Sequence, residues 1–207
     1  MEGILQTLYE QIQKIKLSKI NLIGYSMGGR IALAFAQKFP HLIEHLIILS
    51  ANPGIESDLS RKIRIEEDLK WVQLLEEKGL DSFLTAWYDQ PLFASLRAKK
   101  KLFSEVLLRR KKQNISSLKK TLLYLSPAKQ PSFWHILKNF PFSTLFLFGE
   151  YDMKYRAIAK SISEIGARVT LDLIAKSGHA VHLENPKLTS EKIRRSLVNY
   201  SRLKTEA

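Results

Sequence analysis

Three residue types that can move a proton between them recur along the chain. A serine lies inside a G-x-S-x-G pattern (Gly24–Gly28), an aspartate ends GEYD (149–152), and a histidine ends SGH (177–179). The residues before Ser26, KINLIG, are apolar, and those after it, from Ile31 to Phe39, read as a helix that Pro40 stops. In that context G-x-S-x-G marks a serine held on a sharp turn between a strand and a helix, with Gly24 and Gly28 allowing close backbone packing. The helix aims its first N–H groups and its positive dipole end at the serine, and the N–H of Met27 is a candidate oxyanion donor. Asp152 and His179 each follow a further apolar run, TLFLFG and RVTLDLI. That places both just past a strand end, where ligands bind in open α/β sheets. An aspartate there can fix the imidazole tautomer, and the imidazole can take a proton from the serine. Taken singly, Ser26 also reads as a turn serine, Asp152 as a turn or helix cap, and His179 as a surface-loop histidine. The chain order Ser26, Asp152, His179, with each residue at a strand end, favours a catalytic triad. His182 and Glu184, just beyond, read as packing and loop-anchoring residues.

The elements that must position these residues are legible from periodicity. Ile4, Leu5, Leu8, Ile12 and Ile15 share one face of an amphipathic N-terminal helix. Four short apolar runs, KINLIG, HLIILS (45–50), TLFLFG (144–149) and RVTLDLI (168–174), read as buried strands. Amphipathic helices alternate with them, at about residues 155–165 and 187–203, which predicts an α/β fold with a mainly parallel sheet. Residues 53–141 break the alternation. They read as helices at about 60–78 (ended by Gly79), 81–88, 98–112, 115–125 and 131–138. The expected organisation is a core of residues 1–52 and 142–207, with residues 53–141 inserted as a helical lid between the second and third strands.

The 207 residues suit one domain with an insertion, and a hydrophobic fraction of 45% supports a real core. No apolar run is long enough to cross a membrane, and the charged N-terminus lacks the pattern of a signal peptide. With no cysteine, disulfides and thiolate metal sites are excluded, which fits a cytoplasmic protein. The net charge of +13 is concentrated in residues 97–120, which hold ten Lys or Arg and one Glu. A solvated helix face explains most of that run; no nucleic-acid motif accompanies it.

The stretches GYSMGGRIAL (24–33), SANPGI (50–55), WYDQPLFASL (87–96), LLRRKKQN (107–114), QPSFW (130–134), GEYDMKY (149–155) and SGHAVHLENP (177–186) carry a resemblance that spans nearly the whole chain. The chain resembles the 2-succinyl-6-hydroxy-2,4-cyclohexadiene-1-carboxylate synthases of menaquinone biosynthesis, which have the α/β-hydrolase fold. G-x-S-x-G and the GH motif are shared with many hydrolases; WY-x-QP-x-F and QPS-x-W discriminate better. The resemblance implies a lyase that eliminates pyruvate from 2-succinyl-5-enolpyruvyl-6-hydroxy-3-cyclohexene-1-carboxylate. Ser26, activated by His179 and Asp152, is then the base, with no acyl-enzyme and neither a metal nor an organic cofactor. A tricarboxylate substrate calls for fixed cations, and Arg forks suit carboxylates. Arg30 lies one helical turn after Ser26 and can face the same cleft. Arg64 and Arg110 match the family's carboxylate-binding arginines by position, with Arg109 as the alternative to Arg110. Tyr25, Met27, Trp87 and Lys154 are further substrate contacts by motif position. For the insertion residues the plain alternatives are a solvated charge or a packed aromatic.

The alternative functions are a carboxylic-ester or C–C bond hydrolase with Ser26 as nucleophile, or an inactive truncated remnant. The last arises because α/β-hydrolases place about four strands and a His-Gly-type oxyanion loop ahead of the nucleophile strand. Here a single helix precedes that strand, so the sheet is expected to lack its N-terminal strands. A monomer acting on a small tricarboxylate, with no nucleic acid and no membrane insertion, is the expected form.

Overall fold

The computed structural model describes residues 1–165 and 168–205, with side chains described to residue 198. In chain order the elements are α1 (Glu2–Lys14), β1 (Ile20–Tyr25), α2 (Met27–Lys38), β2 (Ile43–Leu49), α3 (Asp58–Asp89), α4 (Ala94–Ala98), α5 (Lys100–Arg110), α6 (Ile115–Tyr124), α7 (Trp134–Leu137), β3 (Ser143–Gly149), α8 (Met153–Ser163), β4 (Val169–Ile174), α9 (Val181–Glu184) and α10 (Pro186–Thr205). The strands form one sheet in the order β1-β2-β3-β4, and each neighbouring pair is parallel. All four therefore end on the same edge, and the segments leaving β1, β3 and β4 carry Ser26, Asp152 and His179. The register holds those ends level: Tyr25 pairs with Leu49, Leu49 with Leu147, and Gly149 with Ile174.

Two compact units make up the chain, Met1–Pro53 with Phe133–Ala207, and Gly54–Ser132. In the first unit the central strands are buried on both faces, which is why they read as continuous apolar runs rather than alternating ones. Successive side chains still point to opposite faces. Leu46, Ile48, Phe146 and Phe148 join the core formed with α2, where Leu33, Phe35 and Ala36 are also buried. Ile47, Leu49, Leu145 and Leu147 face Val181, with Leu188 and Ile193 of α10 packed against them. Each fully buried Phe or Leu contributes about 1.5–3 kcal/mol relative to exposure. The amphipathic face of α1 buries Leu5, and Tyr9 stacks on Phe39 at 4.7 Å.

His45 lies on the α10 side of β2, buried, with its Nε2 2.8 Å from Ser196 Oγ. Burial lowers its pKa from 6.5, because the charged imidazolium loses water; the nearby Glu44 carboxylate acts in the opposite direction.

The second unit ends at Ser132, short of the residue 141 expected for the insertion. Phe133, Leu137, Phe140 and Phe142 pack in the core of the first unit instead. Apolar residues in a short helical stretch serve either core equally well, so pattern alone does not assign them. Within the second unit, Ser57 caps α3 by accepting from Ser60 N at 3.3 Å, and Asn114 caps α6 by accepting from Ser117 N at 2.9 Å. The helices expected at 60–78 and 81–88 form one run, α3, interrupted at Gly79, whose φ of 76° and ψ of 179° suit glycine alone. The helix expected over 98–112 divides at Lys99 into α4 and α5.

Candidate active site

Ser26 sits between β1 and α2 with φ 50° and ψ −113°, a conformation that costs an L-residue of order 1–3 kcal/mol. Hydrogen bonds on both sides hold it there. Its N–H donates to Leu49 O at the end of β2 (2.8 Å), and its carbonyl accepts from Arg30 N in the first turn of α2 (3.2 Å). The two motif glycines have different roles. A Cβ on Gly24 would lie 2.5 Å from Gly28 O and 2.7 Å from Gly29 Cα, so β1 and α2 touch through this glycine. A Cβ on Gly28 would meet nothing within 4 Å. Of the two glycines expected to allow close packing, only Gly24 lacks room for a Cβ.

The loops after β3 and β4 are joined backbone to backbone. Tyr151 N donates to Ser177 O (2.9 Å) and Glu150 N to Ile174 O (3.0 Å). A Cβ on Gly149 would come within 2.6 Å of Ser177 O and closer still to Gly178 O. This contact sets Asp152 beside His179.

His179 Nδ1 lies 2.8 Å from Asp152 Oδ2, and its Nε2 lies 3.0 Å from Ser26 Oγ. Asp152 and His179 are each 3% exposed, while Ser26 is half-buried. A carboxylate can only accept, so Nδ1 carries the hydrogen and Nε2 is left to accept from the serine hydroxyl. Asp152 also caps α8: its Oδ1 accepts from Tyr155 N at 3.4 Å. The cap and the triad readings of this residue are thus compatible, one oxygen serving each. The His179 ring contacts two tyrosines, with ring centroids 5.4 Å from Tyr25 and 5.0 Å from Tyr155. Tyr25 also contacts His182 at 4.3 Å. Tyr155 stands in the quoted GEYDMKY stretch, but its ring contact depends on the β3–β4 loop geometry and is invisible to motif spacing.

The remaining candidates divide between the units. In the first, Met27 opens α2 directly after Ser26, so its N–H is one of the first-turn donors for which the helix itself supplies no acceptor. Arg30 is half-buried on the same helix, and Lys154 is exposed on α8. In the second, Arg64 is held by its Nε to Asp68 Oδ1 at 2.9 Å, and Asp68 is buried. Trp87 packs in an aromatic cluster, 5.1 Å from Trp71 and 5.5 Å from Phe83. Arg109 and Arg110 are both exposed at the end of α5, in the basic run that solvates this face.

Residues 3–186 match the α/β-hydrolase fold family. Protein PHYLLO, chloroplastic, of Arabidopsis thaliana is 34% identical over 214 residues, covering 100% of this chain and 12% of its own length. The 2-succinyl-6-hydroxy-2,4-cyclohexadiene-1-carboxylate synthase of Enterobacter sp. (strain 638) is 31% identical over 185 residues, covering 89% of this chain and 69% of that protein. The solved structure of MenH from S. aureus superposes with a TM-score of 0.86 at 28% identity, covering 99% of this chain and 76% of that one. The chain therefore spans part of the length of each relative, and only a small part of the Arabidopsis protein.

Proposed function

The chain belongs to the 2-succinyl-6-hydroxy-2,4-cyclohexadiene-1-carboxylate synthase family of the α/β-hydrolase fold, and from that membership we propose that it eliminates pyruvate from 2-succinyl-5-enolpyruvyl-6-hydroxy-3-cyclohexene-1-carboxylate, with Ser26 as the base. The observation that carries the proposal is the hydrogen-bonded series Ser26–His179–Asp152, at 3.0 and 2.8 Å.

The chemistry needs a base near a weakly acidic carbon. The ring carbon bearing the succinyl group lies α to a ketone, so removing its proton yields an enolate. Ser26 Oγ takes that proton as its own passes to His179 Nε2, and Asp152 stabilises the imidazolium that results. The N–H of Met27 is positioned to donate to the enolate oxygen. The enolate then reforms its carbonyl, the ring double bond shifts, and the C–O bond to the enolpyruvyl group breaks. His179 returns its proton to the departing enolpyruvate, which becomes pyruvate. No bond forms between Ser26 and the substrate.

Arg30, one turn along α2, supplies a fixed cation that an esterase for neutral substrates does not require. Arg64, Arg110, Trp87, Lys154 and Tyr25 are assigned to the substrate's carboxylates and ring on the same reading. The partner is the small tricarboxylate alone, bound by a cytoplasmic monomer. The test measures two activities on one preparation: pyruvate release, coupled to lactate dehydrogenase, and turnover of p-nitrophenyl esters. Pyruvate release with little ester turnover supports the lyase. Robust ester turnover without pyruvate release replaces it with a hydrolase using Ser26 as nucleophile.

A further inference from the structure

The proton relay depends on where the His179 ring sits, and His179 lies on a loop rather than on the sheet. Loop peptide groups have no ladder partner, so something else must satisfy them when they are buried. Here one side chain does so on both sides of the histidine. Glu184, at the end of the single-turn helix α9, is 7% exposed. Its Oε2 accepts from Gly178 N at 2.9 Å, and its Oε1 accepts from Ala180 N at 3.1 Å. The carboxylate thus grips the N–H groups immediately before and after His179. The helix turn is closed behind it, with Glu184 N donating to Ala180 O at 2.8 Å. Thr189 Oγ1 then ties Val181 O to α10 at 3.0 Å. Loop anchoring of a general kind would need one such bond at any point of the loop; two bonds that bracket a single residue fix that residue's Cα and the direction of its side chain.

We propose that Glu184 is a positioning residue for the reaction: by holding the peptide N–H groups of Gly178 and Ala180, it sets His179 so that its two ring nitrogens reach Asp152 and Ser26 together. The inference rests on the triad reading of Ser26, His179 and Asp152. Glu184 itself touches no substrate.

Each of the two N–H groups bonds a different oxygen of the carboxylate. Glutamine has the same size but offers one oxygen, so Glu184→Gln turns an NH2 toward one of the two donors. The loop must then shift. Misplacing a catalytic group by about 1 Å costs on the order of 100-fold. The expected result is a folded Glu184→Gln protein whose kcat for pyruvate release falls about 100-fold, with KM little changed. The wild type should show a far-downfield proton resonance from the His179 Nδ1–H···Asp152 hydrogen bond, and in the variant it should be lost or shifted. That resonance is read without substrate, so a wild type that releases no pyruvate overturns the lyase reading and leaves the positioning role still decided by the spectrum. A folded variant that keeps both its kcat and its resonance overturns the proposal. If the variant does not fold, amide hydrogen exchange in the wild type decides. Slow exchange at both Gly178 and Ala180, comparable to the β3–β4 ladder, supports the clamp. Exchange at the rate of an open loop overturns it.

Discussion

Substituting each glycine of G-x-S-x-G by alanine separates steric need from motif convention. A Cβ at position 24 would lie 2.5 Å from Gly28 O, 2.7 Å from Gly29 Cα and 2.8 Å from Gly28 C. All three are backbone atoms of the first turn of α2, so no side chain can swing away. The helix must move off β1, although α2 carries Leu33 and Phe35, both 0% exposed, into the core. Overpacking of this kind costs about 1–3 kcal/mol or somewhat more. For a chain of this length each kcal/mol moves Tm by about 2–4 °C, so Gly24→Ala should lower Tm by roughly 2–12 °C. Gly28→Ala should do the reverse. Its Cβ meets nothing within 4 Å, its φ is not positive, and it stands inside α2. Alanine is favoured over glycine in a helix interior by up to about 1 kcal/mol, so Tm should rise by roughly 1–4 °C. Differential scanning calorimetry at neutral pH, on both variants and the wild type, reads the two shifts directly. Equal losses from both substitutions, or a neutral Gly24→Ala, would refute the steric account of the elbow.

Three further outcomes are expected. In Asp152→Asn, Oδ1 can keep the bond from Tyr155 N, so the new NH2 faces His179 Nδ1 and drives the ring into the wrong tautomer; pyruvate release should fall by about four orders of magnitude with Tm little affected. Arg30→Leu should raise KM for the tricarboxylate by roughly 10–150-fold, the equivalent of about 1.5–3 kcal/mol for a charged hydrogen bond, and leave turnover of any neutral ester unchanged. His45 predicts an acid-side loss of stability. Because its folded pKa lies below 6.5, the unfolded chain binds more protons between the two values, and stability rises with pH there. His45 therefore stabilises the fold above pH 6.5, and this contribution is lost as pH falls below that value; the decline in Tm from pH 7 to 5.5 should be shallower in His45→Gln than in the wild type.

The central strands β2 and β3 were legible as short continuous apolar runs, the form of parallel strands covered on both faces; β1 and β4, expected to be buried like them, are the outer strands of the four and leave Ile23 and Leu173 exposed. The meeting of Ser26, Asp152 and His179 was legible because each stands just past a predicted strand, and parallel strands end on one edge. What spacing could not supply is the contact between loops. The bracketing of His179 by Glu184 depends on α9 folding back. Neither the ring of Tyr155 beside His179 nor the close approach of Gly149 to Gly178 O leaves a periodic trace. Phe133 and Phe140 show a second limit: an aromatic residue declares that it is buried but not in which core. Trp87 shows a third, since a motif tryptophan and a packed one look alike until Trp71 and Phe83 are found against it. The Arg64–Asp68 pair, by contrast, follows from helical i, i+4 spacing, yet only the burial of Asp68 distinguishes it from an ordinary surface pair.

The central claim is that a serine activated by His179 and Asp152 removes a carbon-bound proton and releases pyruvate. Its most direct test compares initial rates of pyruvate release by the wild type and Ser26→Ala, with circular dichroism to establish equal folding. Loss of a positioned base costs about 10²–10⁴-fold, and a decline of that size with an unchanged fold is the predicted result. Equal rates from the two proteins would contradict the account.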